Sequence, residues 1–245
     1  MRGSVLLPLA RYADDDARRR VVAQAMNTLR SQPGIGGAAV VMPPPFRGLA
    51  PGALTVEGRP VAAGSEPRAT HHTVTPTYFD VLGITLRGGR LFTGRDDATA
   101  VPAVIVSERL ARQLWPDGGA LGKRISLGDA QAEPVWRTVV GIVGDVRKTI
   151  TGEQLPDTYV PYEQNPRAYV YVVARGAGEP AAVASRVRRA LGSVDEVLAL
   201  SDVQSLPESV ARESARQRLL TTLLGGFSVF ALVLRPSGSM GRWRT

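Results

Sequence analysis

The chain has 245 residues, 44% of them hydrophobic and 21% charged, and 30 basic against 22 acidic residues give a net charge of +8. That length and balance exclude a disordered chain and leave room for one large or two small domains. The sequence contains no cysteine, which excludes disulfides, thiolate metal sites and a cysteine nucleophile. The positive charge is almost all arginine, with Lys123 and Lys148 the only lysines. The arginines are scattered and not interleaved with aromatics, so they read as the composition of a GC-rich genome and no nucleic-acid partner is expected.

In chain order, Val5–Leu9 reads as an edge strand interrupted by Pro8. Asp14, Asp15 and Asp16 open a helix over 14–32, where acids in the first turn suit the dipole. Its apolar positions Val21, Val22, Ala25, Met26 and Leu29 lie on one helical stripe. "GGAAVVM", ending at Met42, is a strand, and after a Pro-rich connector "ALTVEGRPV" is a strand that could pair with it. "THHTVTPTYFDVLGI" reads as a strand, a cap at Thr75, Pro76 in the first helical position and a short helix. "PAVIVSERLARQLWP" repeats the pattern, with Ser107 as the cap and Pro116 as the stop. "GKRISLG", "VWRTVVGIVGDVRK", "DTYVPYE" and "AYVYVVARG" are four more strands, the last rich in alternating β-branched and aromatic residues. "EPAAVASRVRRALGSV" is an amphipathic helix and "EVLALSDV" a strand. A long helix follows from Leu206, polar to Arg218 and then uncharged from Leu219 to Leu234. A change of polarity along the axis, not around it, predicts entry into a membrane, although a full span needs about 20 apolar residues.

The order has an internal symmetry. Val5–Leu9, helix 14–32 and Ala38–Met42 form one strand–helix–strand unit, and Tyr169–Ala174, helix 179–193 and Val197–Ser201 form another. Two such units combine into a split β-α-β sandwich with both helices on one sheet face. The middle, about 69 to 165, then becomes a strand-rich insertion.

No motif carries covalent chemistry. The only Gly-Lys, Gly122-Lys123, has Asp117 where a P-loop needs its first glycine and Arg124 where it needs Ser or Thr. "GIGGAA" at 34–39 follows a helix and precedes a strand, the reverse of a dinucleotide site. His71 and His72 are the only histidines, and neighbours on a strand point to opposite faces, so a structural role is expected and no metal. Ser107 has no histidine partner in view for a triad. Asp96-Asp97 reads as a solvated loop with turn residues, Asp145 as a carboxylate accepting backbone hydrogen bonds at a strand end, and Trp115 and Trp136 as core. No cofactor is expected.

Three stretches, "VTPTYFDVLGITLRGGRLFTGRDD", "AVIVSERLARQLWPDGGALGKRI" and "WRTVVGIVGDVRKT…YVPYEQ", resemble the core-domain motifs of MacB-type, FtsX-like ABC transporter permeases, above all the acidobacterial orphan type. The motif positions are Pro76, Tyr78, Phe79, Gly83, Gly89, Arg90, Trp115, Pro116, Gly122, Gly141, Gly144, Asp145 and Pro161. The resemblance implies an α+β extracytoplasmic domain without catalytic activity. Residues 1–68 and 166–203 would form a porter-like subdomain and 69–165 an inserted sabre-like one. Residues 204–234 would form a stalk and partial transmembrane helix. It further implies an inner-membrane permease, a separate or fused ABC ATPase as partner and a homodimer of the full-length permease. Against that family pattern, flanking membrane helices are expected to be missing on both sides. Read back one nucleotide, the tail "RPSGSMGRWRT" can encode "AVGLYGTMAY", so 235–245 is expected to be a frameshifted continuation of the helix. A stand-alone periplasmic binding or adaptor module is the alternative reading, and a basic nucleic-acid-binding protein a weaker one.

Overall fold

The computed structural model describes residues 1–8, 10–44, 51–62, 64–128, 134–146 and 155–204. The expected helix from Leu206 and the tail after Arg235 lie outside them.

Strand β1 is Arg2–Leu6, a few residues earlier than expected and not at an edge, since β10 and β11 pair with it on either side, and helix α1 is Asp15–Arg30. Asp14 caps α1 by accepting from the Ala17 N–H at 2.6 Å, and Asp15 and Asp16 pair with Arg18 and Arg19 one turn on. The predicted stripe of Val21, Val22, Ala25, Met26 and Leu29 is the buried face. Strand β2 is Ile35–Met42, β10 is Tyr169–Gly176, α4 is Pro180–Val194 and β11 is Leu200–Gln204. The four strands lie in the order β11-β1-β10-β2, all antiparallel neighbours, with Ser4 opposite Tyr171 and Val173 opposite Ala39. This is the order of a split β-α-β sandwich. Both helices pack on one face, where Val21, Met26, Leu29, Val187 and Leu191 meet Val5, Leu7, Val40, Val170 and Val172. The alternate residues Ala39, Val41, Tyr171 and Val173 enter a second core on the opposite face. Burial on both faces explains why "AAVV" and "VYVV" are continuous apolar runs.

Between β2 and β10 the chain builds a ring. Strands β3 (Gly52–Val56), β4 (Arg68–Val74), β6 (Ala103–Ser107), β7 (Arg124–Leu127), β8 (Arg137–Val143) and β9 (Asp157–Pro161) supply it. β3 pairs with β4 and β7, β7 with β8, β8 with β6, β6 with β9, and β9 runs parallel to β4, which closes the circuit. Every one of the six strands sends a side chain into the third core, among them Leu54, Ala69, Val104, Ile125, Val139 and Val160. Helix α3 (Glu108–Leu114) adds Leu110, Leu114 and the adjoining Trp115 to it. Ser107 caps α3 as expected, accepting from the Leu110 N–H at 3.3 Å.

Three further expectations fail locally. The strand at Gly52–Val56 does not pair with β2; "MPPPFRGLAPG" offers no tight turn for a hairpin, and β2 instead takes β4 on that edge, with Val41 opposite Val74. Thr75 is not the cap of the next helix, α2, which is Tyr78–Leu82 with Thr77 at its N-cap. The Thr75 hydroxyl accepts from the Val40 N–H at 2.9 Å instead. Finally, Leu86–Gly89 is a strand, β5, paired with β8, where the two-glycine sequence gave no strand signal.

Candidate functional site at the joint between sheet and ring

Strand β4 crosses from one part of the molecule to the other. Its first two residues pair with β3, its last two pair with β2, and β9 runs parallel to it along Thr70–Val74. The chain then turns into α2, which is a wedge. The Thr75 N–H donates to Val40 O at 3.0 Å and the Thr77 hydroxyl donates to Ala38 O at 2.7 Å, so the wedge is stitched to β2. Pro76 lies between those two threonines, and Gly83 ends the helix at φ 67°, a left-handed cap that glycine adopts without strain. Tyr78 and Phe79 are fully buried between sheet residues Val41, Tyr171 and Val173 and ring residues Ile105, Val143 and Tyr159. Phe79 stands edge-on to Tyr159 at 5.2 Å and near Phe92 at 6.1 Å, and Tyr78 lies 6.0 Å from Tyr159. Burial pushes the phenols of Tyr78 and Tyr159 up, which keeps them neutral.

The histidines of β4 are committed on opposite faces. His72 is buried, stacked on Tyr159 at 5.2 Å, with Nε2 at 3.0 Å from an Asp157 carboxylate oxygen and Nδ1 at 3.4 Å from Pro43 O. His71 meets the Thr158 hydroxyl at 2.8 Å and Ala53 O at 3.0 Å, and burial lowers its pKa. Ser107 Oγ accepts from the Leu110 and Asp157 N–H groups. Ser107 therefore meets Asp157 through its backbone N–H and His72 meets it through its carboxylate, and no hydrogen bond joins Ser107 to His72. Among the described residues no group of His, Asp and Glu is placed to hold a metal ion.

The remaining motif positions lie in two further places. At the β5–β8 pair, the Arg90 N–H donates to Val140 O at 2.9 Å and the Gly144 N–H to Thr85 O at 2.9 Å. Gly89 sits at φ 72°, and a Cβ on Gly141 would lie 2.2 Å from Arg90 O, so the two segments touch through glycine. Arg90 forks onto Asp96 with two hydrogen bonds of 2.8 Å, and the Thr93 N–H donates to the same carboxylate. Asp96 is buried, a correction to its reading as a solvated loop residue; burial pushes its carboxyl up, but Arg90 and Thr93 outweigh this and hold it below the usual range. Asp97 is exposed and closes a turn onto Thr99. At the α3 end of the ring, Asp145 accepts from the Arg109 N–H at 2.9 Å and pairs with Arg112 at 3.5 Å, anchoring the start of α3 from another strand. Trp115 is buried behind Pro116, and the Gly122 N–H donates to Val139 O at 2.9 Å. Pro161 ends β9 opposite Val74. Trp136 is half-buried. The motif residues thus hold three seams of the scaffold together and do not converge on one pocket.

Residues 11–190 match the family of the MacB-like periplasmic core domain. The chain belongs to that family. The macrolide export ATP-binding/permease protein MacB of Acinetobacter baylyi is 25% identical to this core domain over 169 residues, 69% of the chain and 22% of that protein. The MacB of Rhodopseudomonas palustris is 28% identical over 143 residues, 58% of the chain and 19% of that protein. The chain thus spans about a fifth of the length of the curated relatives it matches. The crystal structure of the periplasmic region of MacB from Actinobacillus actinomycetemcomitans superposes on the core domain with a TM-score of 0.49 and 18% identity, covering 79% of this chain and 83% of that one. Among the described residues of the core domain, no helix is long and apolar enough to cross a membrane.

Proposed function

We propose that the chain is the extracytoplasmic domain of an inner-membrane ABC transporter permease. It does no covalent chemistry there. It passes the movement of the membrane helices, driven by ATP hydrolysis in a partner ATPase subunit or domain, to a substrate being exported or extracted. The family membership supports this reading, and one observation of the structure carries it. Arg2 lies opposite Gln204 across the β1–β11 pair, and the Arg2 guanidinium donates to the Gln204 side chain at 2.9 Å. The first and last described strands therefore have adjoining outer ends, an arrangement that suits a domain inserted between two consecutive membrane helices. Within it the split β-α-β unit is our porter-like part and the ring our sabre-like part. Because β3 belongs to the ring, we draw the first boundary ahead of Gly52 and not at residue 68. A homodimer of the full-length permease would set two such domains side by side.

The test replaces residues 2–204 by a short flexible linker in the full-length permease that carries the domain. Membrane insertion and basal ATP hydrolysis should persist while export is lost. Export at the parent rate would end the proposal.

A further inference from the structure

A cleft of about 660 Å³ opens between the ring and the edge of the four-stranded sheet, beside β4 and the segment leading into β10. It lies within the size range of small-molecule sites. Its walls include apolar side chains, among them Met42, Leu127 and Val135. Its charged lining residues other than histidine are two arginines, Arg137 at the start of β8 and Arg167 just before β10, and none of its described lining residues is acidic. Elsewhere in the described structure several arginines are ion-paired: Arg90 with Asp96, Arg124 with Glu57, Arg11 with Asp195, Arg112 with Glu108. Among the described residues Arg137 and Arg167 have no ion pair and their guanidinium groups make no hydrogen bond. Arg137 is half-buried, and burial together with the charge of Arg167 lowers its pKa.

An unpaired, half-buried cation destabilises the protein that holds it. A second cation close enough to be felt makes this worse. Both costs vanish when an anion sits between them. The apolar walls add a preference for an anion with a hydrocarbon body, since a bare inorganic ion would leave them in water. Both nitrogens of His71, which lines the same cleft, are already engaged with Thr158 and Ala53, so the arginines are what remains to bind charge.

We propose that this cleft binds an amphipathic organic anion, with its carboxylate or phosphate between Arg137 and Arg167 and its apolar body along Met42, Leu127 and Val135. The proposal rests on the chain's own geometry, so it stands or falls separately from the transporter reading.

The experiment is calorimetric titration of the full 245-residue chain. The probes are octanoate, octyl phosphate, inorganic phosphate and 1-octanol, each below its aggregation limit. The two amphipathic anions should bind at a single site, at least about tenfold more tightly than octanol or inorganic phosphate, the difference one charge-assisted contact makes. Arg137→Gln should weaken octanoate binding by about tenfold to a hundredfold. It should leave the melting temperature unchanged or raise it, because it removes an unpaired charge. Arg167→Gln, at an exposed position, should weaken binding severalfold without touching the fold. Retention of the chain on phosphatidylglycerol vesicles, lost in Arg137→Gln, would identify the anion as a lipid headgroup; octanoate binding without such retention would identify a free anion. Equal affinity for octanol and octanoate, an unaltered affinity in Arg137→Gln, or a large fall in its melting temperature would overturn the proposal. So would Arg137-dependent binding of an acidic peptide by a chain that does not bind octanoate.

Discussion

Gly141→Ala tests whether the β5–β8 seam is as tight as it looks. The added Cβ would lie 2.2 Å from Arg90 O, 3.2 Å from Arg90 C and 3.3 Å from Ile105 Cγ1. None of these can swing away: two are backbone atoms, and Ile105 is fully buried. The strands must part by roughly 1 Å, an overpacking that costs about 1–3 kcal/mol. Parting them also strains the Arg90 N–H bond to Val140 O, worth about 1 kcal/mol. Against this, replacing glycine stiffens the unfolded chain and returns about 0.4–1 kcal/mol. The balance is a loss of about 2–3 kcal/mol, a large share of a domain's usual 5–15 kcal/mol. Urea unfolding followed by circular dichroism should show a lower midpoint with an unchanged slope. Gly144→Ala is the internal control. Its Cβ would meet nothing nearer than 3.6 Å, at the Arg87 side chain, so its midpoint should stay within about 0.5 kcal/mol of the parent. If Gly141→Ala were neutral too, the close approach would have no energetic meaning and the argument would fail.

Three further perturbations follow from the same structure. Asp96 has a carboxyl pKa held below its ordinary value in the folded state, so its contribution is present above the unfolded value near 4 and is lost as pH falls through the folded one; Asp96→Asn should remove that segment of the stability–pH curve, and an unchanged curve would show that the Arg90 fork contributes nothing. Ser107→Ala orphans two buried backbone donors, those of Leu110 and Asp157, and should cost about 2–4 kcal/mol by chemical denaturation, with a loss under about 0.5 kcal/mol contradicting the double role. Phe79→Ala empties the centre of the wedge and should cost about 3–5 kcal/mol. Since Phe79 touches sheet and ring together, amide exchange should rise on both sides of it; a rise confined to α2 would mean the wedge does not join them.

The parts of the fold legible in the sequence were those written with a local period. The stripe of α1 and the matching strand–helix–strand units at the two ends predict the split β-α-β sandwich from the sequence alone. What the sequence did not reveal is held by contacts between distant residues. The parallel pairing of β4 with β9 closes the ring, yet nothing within "RATHHTV" or "DTYVP" names its neighbour. β3 looked like the partner of β2 because it came next in the chain. β5 was hidden because Leu86–Gly89 has two glycines and no alternation. Asp96 read as solvated because its neighbours are charged, whereas Arg90, six residues earlier, folds back over it. The cleft left the least trace. Arg137 and Arg167 are two among many arginines in a sequence that uses arginine freely, and what sets them apart is that no acid stands among the described residues lining their cleft.

The meeting of Arg2 and Gln204 also fixes how the domain can bear load. β1 and β11 are antiparallel, so a pull that separates their adjoining ends acts on one hydrogen-bonded pair at a time, in the manner of a zipper. Strands pulled lengthwise past each other would resist with all their bonds at once. A force that drew the adjoining ends of β1 and β11 apart would peel β11 from the sheet before it reached the ring. Tilting or lifting both points together loads no single bond and swings the sheet, the wedge and the ring as one lever. In the role we propose for the domain, this pairing favours a rocking stroke over a spreading one.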